Sequence, residues 1–307
     1  MNHRTSIVCV VSSIVALLLA SHLVAAPFEP SFTIAKVTGT CEVQAPDASE
    51  SEAAVEGKAY AYGTLIRAGS SSSCIVSFSE DNGCLVCQNT TARITQQEKN
   101  KKFKIVRVVD GEVEFNLEKD FHKYNQLSVE TPSAVCKAIG CTFATGFQIV
   151  GDLKTSTFRC SEGEIGATGD YFSITDFGAD DQVTISETPN NNFIRVKIVK
   201  GEVTLVLRDE NGGERRVTLV AGDELTIMAS ESPTDPTKLD VVYKVVLADQ
   251  QKAEIPPWQT TFPKPFLTPP EDNGAAPGPV PPLPKERKWS SLTIAPPIPT
   301  VTPVGKL

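Results

Sequence analysis

Histidine is nearly absent from this chain of 307 residues, which holds only His3, His22 and His122. The first two fall in an N-terminal segment that reads as a removable signal, so His122 stands alone in the body. A cupin-type metal centre needs several imidazoles, and a Ser-His-Asp triad needs a positioned base. The first is excluded, the second has no support, and neither metal nor cofactor is expected. His122 lies in the polar stretch Glu118-Lys119-Asp120-Phe121-His122-Lys123 and reads as a solvated loop residue. Cationic charge is short as well, with 29 Lys and Arg against 37 Asp and Glu. The formal charge of −8 becomes −9 without Arg4, and because residues 251–307 carry six cations and four acids, the body before them stands at −11. That balance argues against nucleic acid or an anionic lipid surface as partner. Sustained helical spacing is missing between residues 32 and 228, which excludes a helical bundle.

What is present begins with an export signal. Arg4 is the only fixed positive charge before an apolar run over residues 7–26, interrupted by Ser12, Ser13, Ser21 and His22. A charged start, a greasy middle and the small residues of Leu23-Val24-Ala25-Ala26 form the order that signal peptidase reads, with cleavage after Ala25 or Ala26. If the segment is retained instead, about 20 apolar residues suffice to span a bilayer, and this is the only membrane contact expected. Either way the body is expected outside the cytoplasm, whether periplasmic, secreted or on the cell surface. Cys9 lacks the Leu-x-x-Cys context of a lipid anchor.

The body alternates apolar and polar residues in short runs punctuated by Gly, Asn and Asp, so the fold class is all-β, a sandwich or jelly-roll-like arrangement with added hairpins. Hairpin turns are predicted at Asp81-Asn82-Gly83 and Asn211-Gly212-Gly213. A small repeat, Asp110-Gly111-Glu112-Val113, Glu162-Gly163-Glu164-Ile165 and Lys200-Gly201-Glu202-Val203, closes one apolar strand and opens another each time. Its unequal spacings of 52 and 38 residues argue for a recurring turn in a sandwich rather than a solenoid of fixed period. Three parts are expected after the signal at 1–26: a β domain over 31–168, a second β module over 169–250 that packs on or continues the first, and an extended tail over 251–307. The tail holds fifteen of the 22 prolines and both tryptophans, Trp258 and Trp289. Such a composition is expected to form no ladder, and to serve as a spacer or docking segment.

Seven cysteines follow the signal, all between Cys41 and Cys160. In an oxidising compartment their default state is disulfide, and the odd count leaves one free or bonded to another chain. Cys141 and Cys160 flank the turn at Gly151-Asp152 and are expected to face each other across a hairpin. Cys74 with Cys84 or Cys87 is a second arrangement, leaving Cys41 and Cys136 without an assigned partner. Cys84-Leu85-Val86-Cys87 has the spacing of a redox or zinc pair but follows a hairpin turn rather than opening a helix, and in a strand its two thiols face opposite ways. Glu112 and Glu114 share one strand face, as an acid and base pair would, and as a solvated sheet face would. Asn89-Thr90-Thr91 matches a glycosylation acceptor where the host has the machinery.

Several segments together resemble the FecR-type extracytoplasmic domain. They are Ile34-Ala35-Lys36-Val37-Thr38-Gly39 with Cys41-Glu42-Val43, then Tyr62-Gly63-Thr64-Leu65-Ile66-Arg67-Ala68-Gly69, the turn at Asp110-Gly111-Glu112-Val113, and Thr131-Pro132-Ser133-Ala134-Val135 leading to Gly140-Cys141-Thr142-Phe143. The family's Arg-Gly-Thr-x-Phe ending is altered, with Ile139 and Cys141 where its Arg and Thr would stand. The resemblance covers residues 31–165, and its closing element recurs between residues 194 and 227. It implies a β-sandwich-like periplasmic domain that binds other proteins and relays signals, in known members to a cytoplasmic segment controlling a sigma factor, below an iron-siderophore transporter. Only six residues precede the apolar run, so the domain is expected here without that cytoplasmic half. The resulting expectation is a non-enzymatic module that binds an envelope protein or glycan. The alternatives are a carboxylate-dependent carbohydrate-active enzyme on a jelly-roll scaffold, or a structural envelope component joined by intermolecular disulfides.

Overall fold

Period-2 patterning decides the architecture, because a strand with one apolar face must bury it against a second sheet. In the computed structural model, which describes residues 31–97, 100, 102–189, 192–208, 213–248 and 255–263, the strands form one hydrogen-bonded network that runs through two layers. The signal segment lies outside the described residues.

In the first layer β4 (Ala59–Ala61) flanks β1 (Ser31–Thr38), followed by β6 (Ser73–Ser79) and β7 (Asn82–Val86). In the second, β3 (Glu52–Ala53), β2 (Cys41–Gln44), β5 (Leu65–Ala68) and β8 (Thr90–Gln96) pair in that order. Three long strands belong to both: β9 (Phe103–Asn116), β11 (Val135–Val150) and β12 (Leu153–Thr168). Residues 113–116 of β9 pair with β7, while residues 104–110 pair with β8. Its residues 103–107 also run parallel to β10 (Gln126–Glu130), which continues into β11. Beyond β12 the first layer continues through β14 (Gln182–Glu187), β15 (Phe193–Lys200), β18 (Glu224–Glu231) and β19 (Lys238–Val246) to β20 (Trp258–Pro263). The second continues through β13 (Phe172–Phe177), β16 (Glu202–Arg208) and β17 (Glu214–Val220). Because β13 and β14 both pair with β12, the strands after residue 168 continue the same sheets.

The repeat identified in the sequence is the corner where the chain changes layer. Gly111 in β9, Gly163 in β12 and Gly201 between β15 and β16 have φ of +86°, +84° and +82°. A Cβ on Gly111 would lie 2.7 Å from the Asn89 carbonyl, and one on Gly163 would lie 2.9 Å from the Gly140 carbonyl. Only glycine combines that dihedral with that closeness. In β9 and β12 the strand passes through the corner unbroken, so the separate strands expected on either side of Gly111 are one.

The layers hold one buried apolar cluster between them. Phe115 and Phe143 stack at 4.6 Å within it. The Tyr243 hydroxyl of β19 reaches across to the Tyr171 and Arg208 carbonyls at 3.1 and 3.2 Å.

Two expectations need correction. Residues 258–263 of the proline-rich stretch do form a ladder, antiparallel to β19: Trp258 stacks on Tyr243 at 4.9 Å and Phe262 is fully buried. Pro263 sits at the strand's end, where a missing donor is tolerated. His122 lies not in a loop but in a single helical turn, α1 (Phe121–Tyr124), and its Nδ1 is buried without a hydrogen-bond partner.

Candidate functional site

Glu112 and Glu114 follow the corner in β9 and share its outward face, as alternation requires. Both are clamped by Arg159 of β12, whose Nη2 lies 3.1 Å from Glu112 and 3.6 Å from Glu114. Burial raises the Glu112 carboxyl above its usual range, Arg159 draws it down, and Glu114 adds a smaller upward push. The recess beside Glu112, Arg159 and Gln182 measures about 10 Å³, where small-molecule sites run to about 300 Å³ and more.

Cys87 borders this carboxylate group. Burial, then the charges of Glu114 and Glu112, push its thiol up to about 12, the opposite of an activated thiolate. It is the only one of the seven described thiols that is not buried. Cys74 stands opposite Val86 across the hairpin β6–β7. Cys87 therefore faces the other side of that hairpin, and the pairing of Cys74 with Cys87 expected from sequence does not match the register. The turn itself is Glu80-Asp81, with Asn82 already in the strand opposite Ser79. Instead the side chains of Cys74 in the first layer and Cys41 in the second interact across the core, and burial raises both thiols. Cys84, wholly buried, feels the charge of Cys74.

A second thiol group lies under the Gly163 corner. The hairpin turns between Val150 and Leu153, and that register puts Phe143, not Cys141, opposite Cys160. The Cys160 sulfur lies 3.5 Å from the Gly163 carbonyl, and burial pushes the thiol up to about 11. Cys136, fully buried, is influenced by both Cys141 and Cys160. Among the described residues, no group of three or more His, Cys, Asp or Glu is arranged to hold a metal ion.

Sequence reasoning missed an open groove of about 310 Å³ on the outer face of the second layer. Thr168, Ser173, Val206 and Arg216 stand opposite one another across β12, β13, β16 and β17, so the groove crosses the strands. Gly166, opposite Lys137, contributes no side chain and leaves the floor low. Three cations line it, Lys137, Arg208 and Arg216, with one acid, Glu214. The Arg208 guanidinium donates to the Ser173 hydroxyl at 3.1 Å, and Arg216 lies 3.9 Å from Glu214. The available signal was an arginine group, Arg208 with Arg215-Arg216, in an acidic body. Only strand pairing brings Lys137 beside it.

A buried polar group sits where β12 and β14 pair. Glu187 is 1% exposed and its carboxylate lies 3.7 Å from Lys154 Nζ. Burial pushes this carboxyl up to about 7 against the pull of Lys154. Nearby in the fold, Ser156 donates to Thr131 at 2.9 Å, and Thr131 caps the turn at Ala134.

No protein-family model matches the chain, and no curated protein matches it. Two crystal structures, each of a candidate anti-sigma factor from Parabacteroides distasonis, are similar to it at 13% identity and a TM-score of 0.25. Each match covers 60% of this chain and 60% of the other, so the chain spans about three fifths of those structures.

Proposed function

We propose that this chain is an exported, non-enzymatic FecR-like sandwich that acts as a binding or sensing module at the cell envelope. The observation that carries this reading is the setting of its paired carboxylates: Glu112 and Glu114 lie on an outer sheet face, both held by one arginine, beside a recess of about 10 Å³. A glycosidase pair needs two carboxyl groups in different protonation states flanking a bound sugar. The segments behind the family resemblance have structural work in the fold. Gly39 and Gly111 turn corners at φ of +71° and +86°, and Thr131 caps a turn. This leaves recognition to the outer faces.

The test is capture of cell-envelope components by the mature protein, in full and truncated after residue 263 so that β20 is kept. Retention of envelope material by both forms is the expected outcome. Loss on truncation would move binding to the tail. Release of reducing sugar from envelope polysaccharide, abolished by Glu112→Gln, would overturn the reading in favour of an enzyme.

A further inference from the structure

We infer that the groove between Lys137 and Arg216 is a binding site for an acidic saccharide, a hydroxylated ring bearing a carboxylate. This rests on the proposed binding role and names the ligand class. Three cations against one acid make the groove locally positive on a body carrying −11. Guanidinium groups such as those of Arg208 and Arg216 match a carboxylate in geometry as well as charge. Arg208 is already oriented by Ser173 at 3.1 Å, which reduces the ordering needed on binding.

The rest of the lining is suited to hydroxyls. Thr168, Ser173 and Thr175 offer both donors and acceptors, and Glu214 accepts from a sugar O–H. Because the groove crosses the strands, a ligand in it meets side chains and not backbone ladder groups, unlike a peptide added to a sheet edge. The acidic body repels a densely charged polyanion at long range, which favours sugar rings with one carboxylate each over a nucleic acid or polyphosphate.

Gly166 supplies the discriminating variant. A Cβ there would meet nothing closer than the Ile174 carbonyl at 3.6 Å, an ordinary contact, and its φ lies outside the left-handed region. Gly166→Val should therefore fold normally and fill the floor. Calorimetric titration of the mature protein with a galacturonate tetramer should show binding that weakens with added salt, and none with the uncharged galactose tetramer. Arg208→Ala with Arg216→Ala should weaken it at least tenfold, and Gly166→Val should abolish it, with thermal midpoints unchanged. Equal binding of the neutral tetramer, full competition by inorganic phosphate alone, or unaltered binding by Gly166→Val would each overturn the assignment. Envelope capture that persists while the tetramer fails to bind would sink this inference and leave the binding role standing; loss of both would sink the role as well.

Discussion

The two halves of the sandwich use the same corner and secure it differently. In residues 31–168 the amides that follow Gly39 and Gly111 are each caught by a hydroxyl: Thr40 N–H donates to Ser72 at 2.9 Å and Glu112 N–H to Thr90 at 3.0 Å. Beyond residue 168 the catching group is a carboxylate. Glu202 N–H donates to Asp181 at 3.1 Å, and the same side chain accepts from Gly178 N–H at 2.8 Å. Asp223, 1% exposed, likewise accepts from Val220 and Ala248 at 3.1 and 2.8 Å. All seven thiols belong to the first half and none to the second. One half thus relies on neutral caps with thiols beneath them, the other on buried charge. Charge-assisted bonds are stronger, but removing one partner leaves more unsatisfied.

The largest effect is expected where the second half closes on itself. Phe262→Ala should lower stability by about 4 kcal/mol, read by urea denaturation, because a fully buried ring is lost. A change below about 1 kcal/mol would mean that β20 does not hold the sheet edge. Next, Asp181→Ala should lose about 3 kcal/mol and Thr90→Ala about 1 kcal/mol, since the first orphans two amides that a charge had served. Equal losses would erase the contrast between the halves.

For the thiols, if the protein reaches an oxidising compartment as proposed, peptide mapping without reduction should recover Cys41 linked to Cys74 across the layers, together with a bond involving Cys160. Cys41→Ser with Cys74→Ser should then lose about 3 kcal/mol. Finding all of these thiols open to alkylation would show that the first half depends on packing and neutral caps alone.

The smallest effect is tied to pH. Glu187 holds its proton up to about 7 in the folded chain against 4.5 ordinarily. The folded form therefore binds more protons in that window, and stability should fall as pH rises through it. Glu187→Gln should match the parent near pH 4 and melt at a higher temperature at pH 8; a parallel shift at both pH values would refute the linkage.

Much of the fold was legible from local chemistry. Alternation at Phe32 and Ile34 or at Leu225 and Ile227 marks a face that must be buried, and the Gly-Glu repeat marks the corners. Strands β8 and β13 are hard to read from sequence because Thr, Ser and Asp dilute their alternation. Strand β20 was not read because its neighbours are prolines. Of the candidate sites, Glu112 and Glu114 were visible as a pair, but not Arg159, which lies 47 residues from Glu112. The groove was not visible, since its residues come from strands far apart in the chain.

The sequence alone determined that the chain is all-β and that its repeated glycines mark sharp turns, because both follow from side-chain period and backbone freedom within a few residues. Tertiary structure alone decided that those turns exchange the chain between two layers. It also set Cys41 against Cys74 and gathered Lys137, Arg208 and Arg216 around one groove. Strand register is a long-range quantity, and a slip of one residue turns every side chain of a strand to the other face.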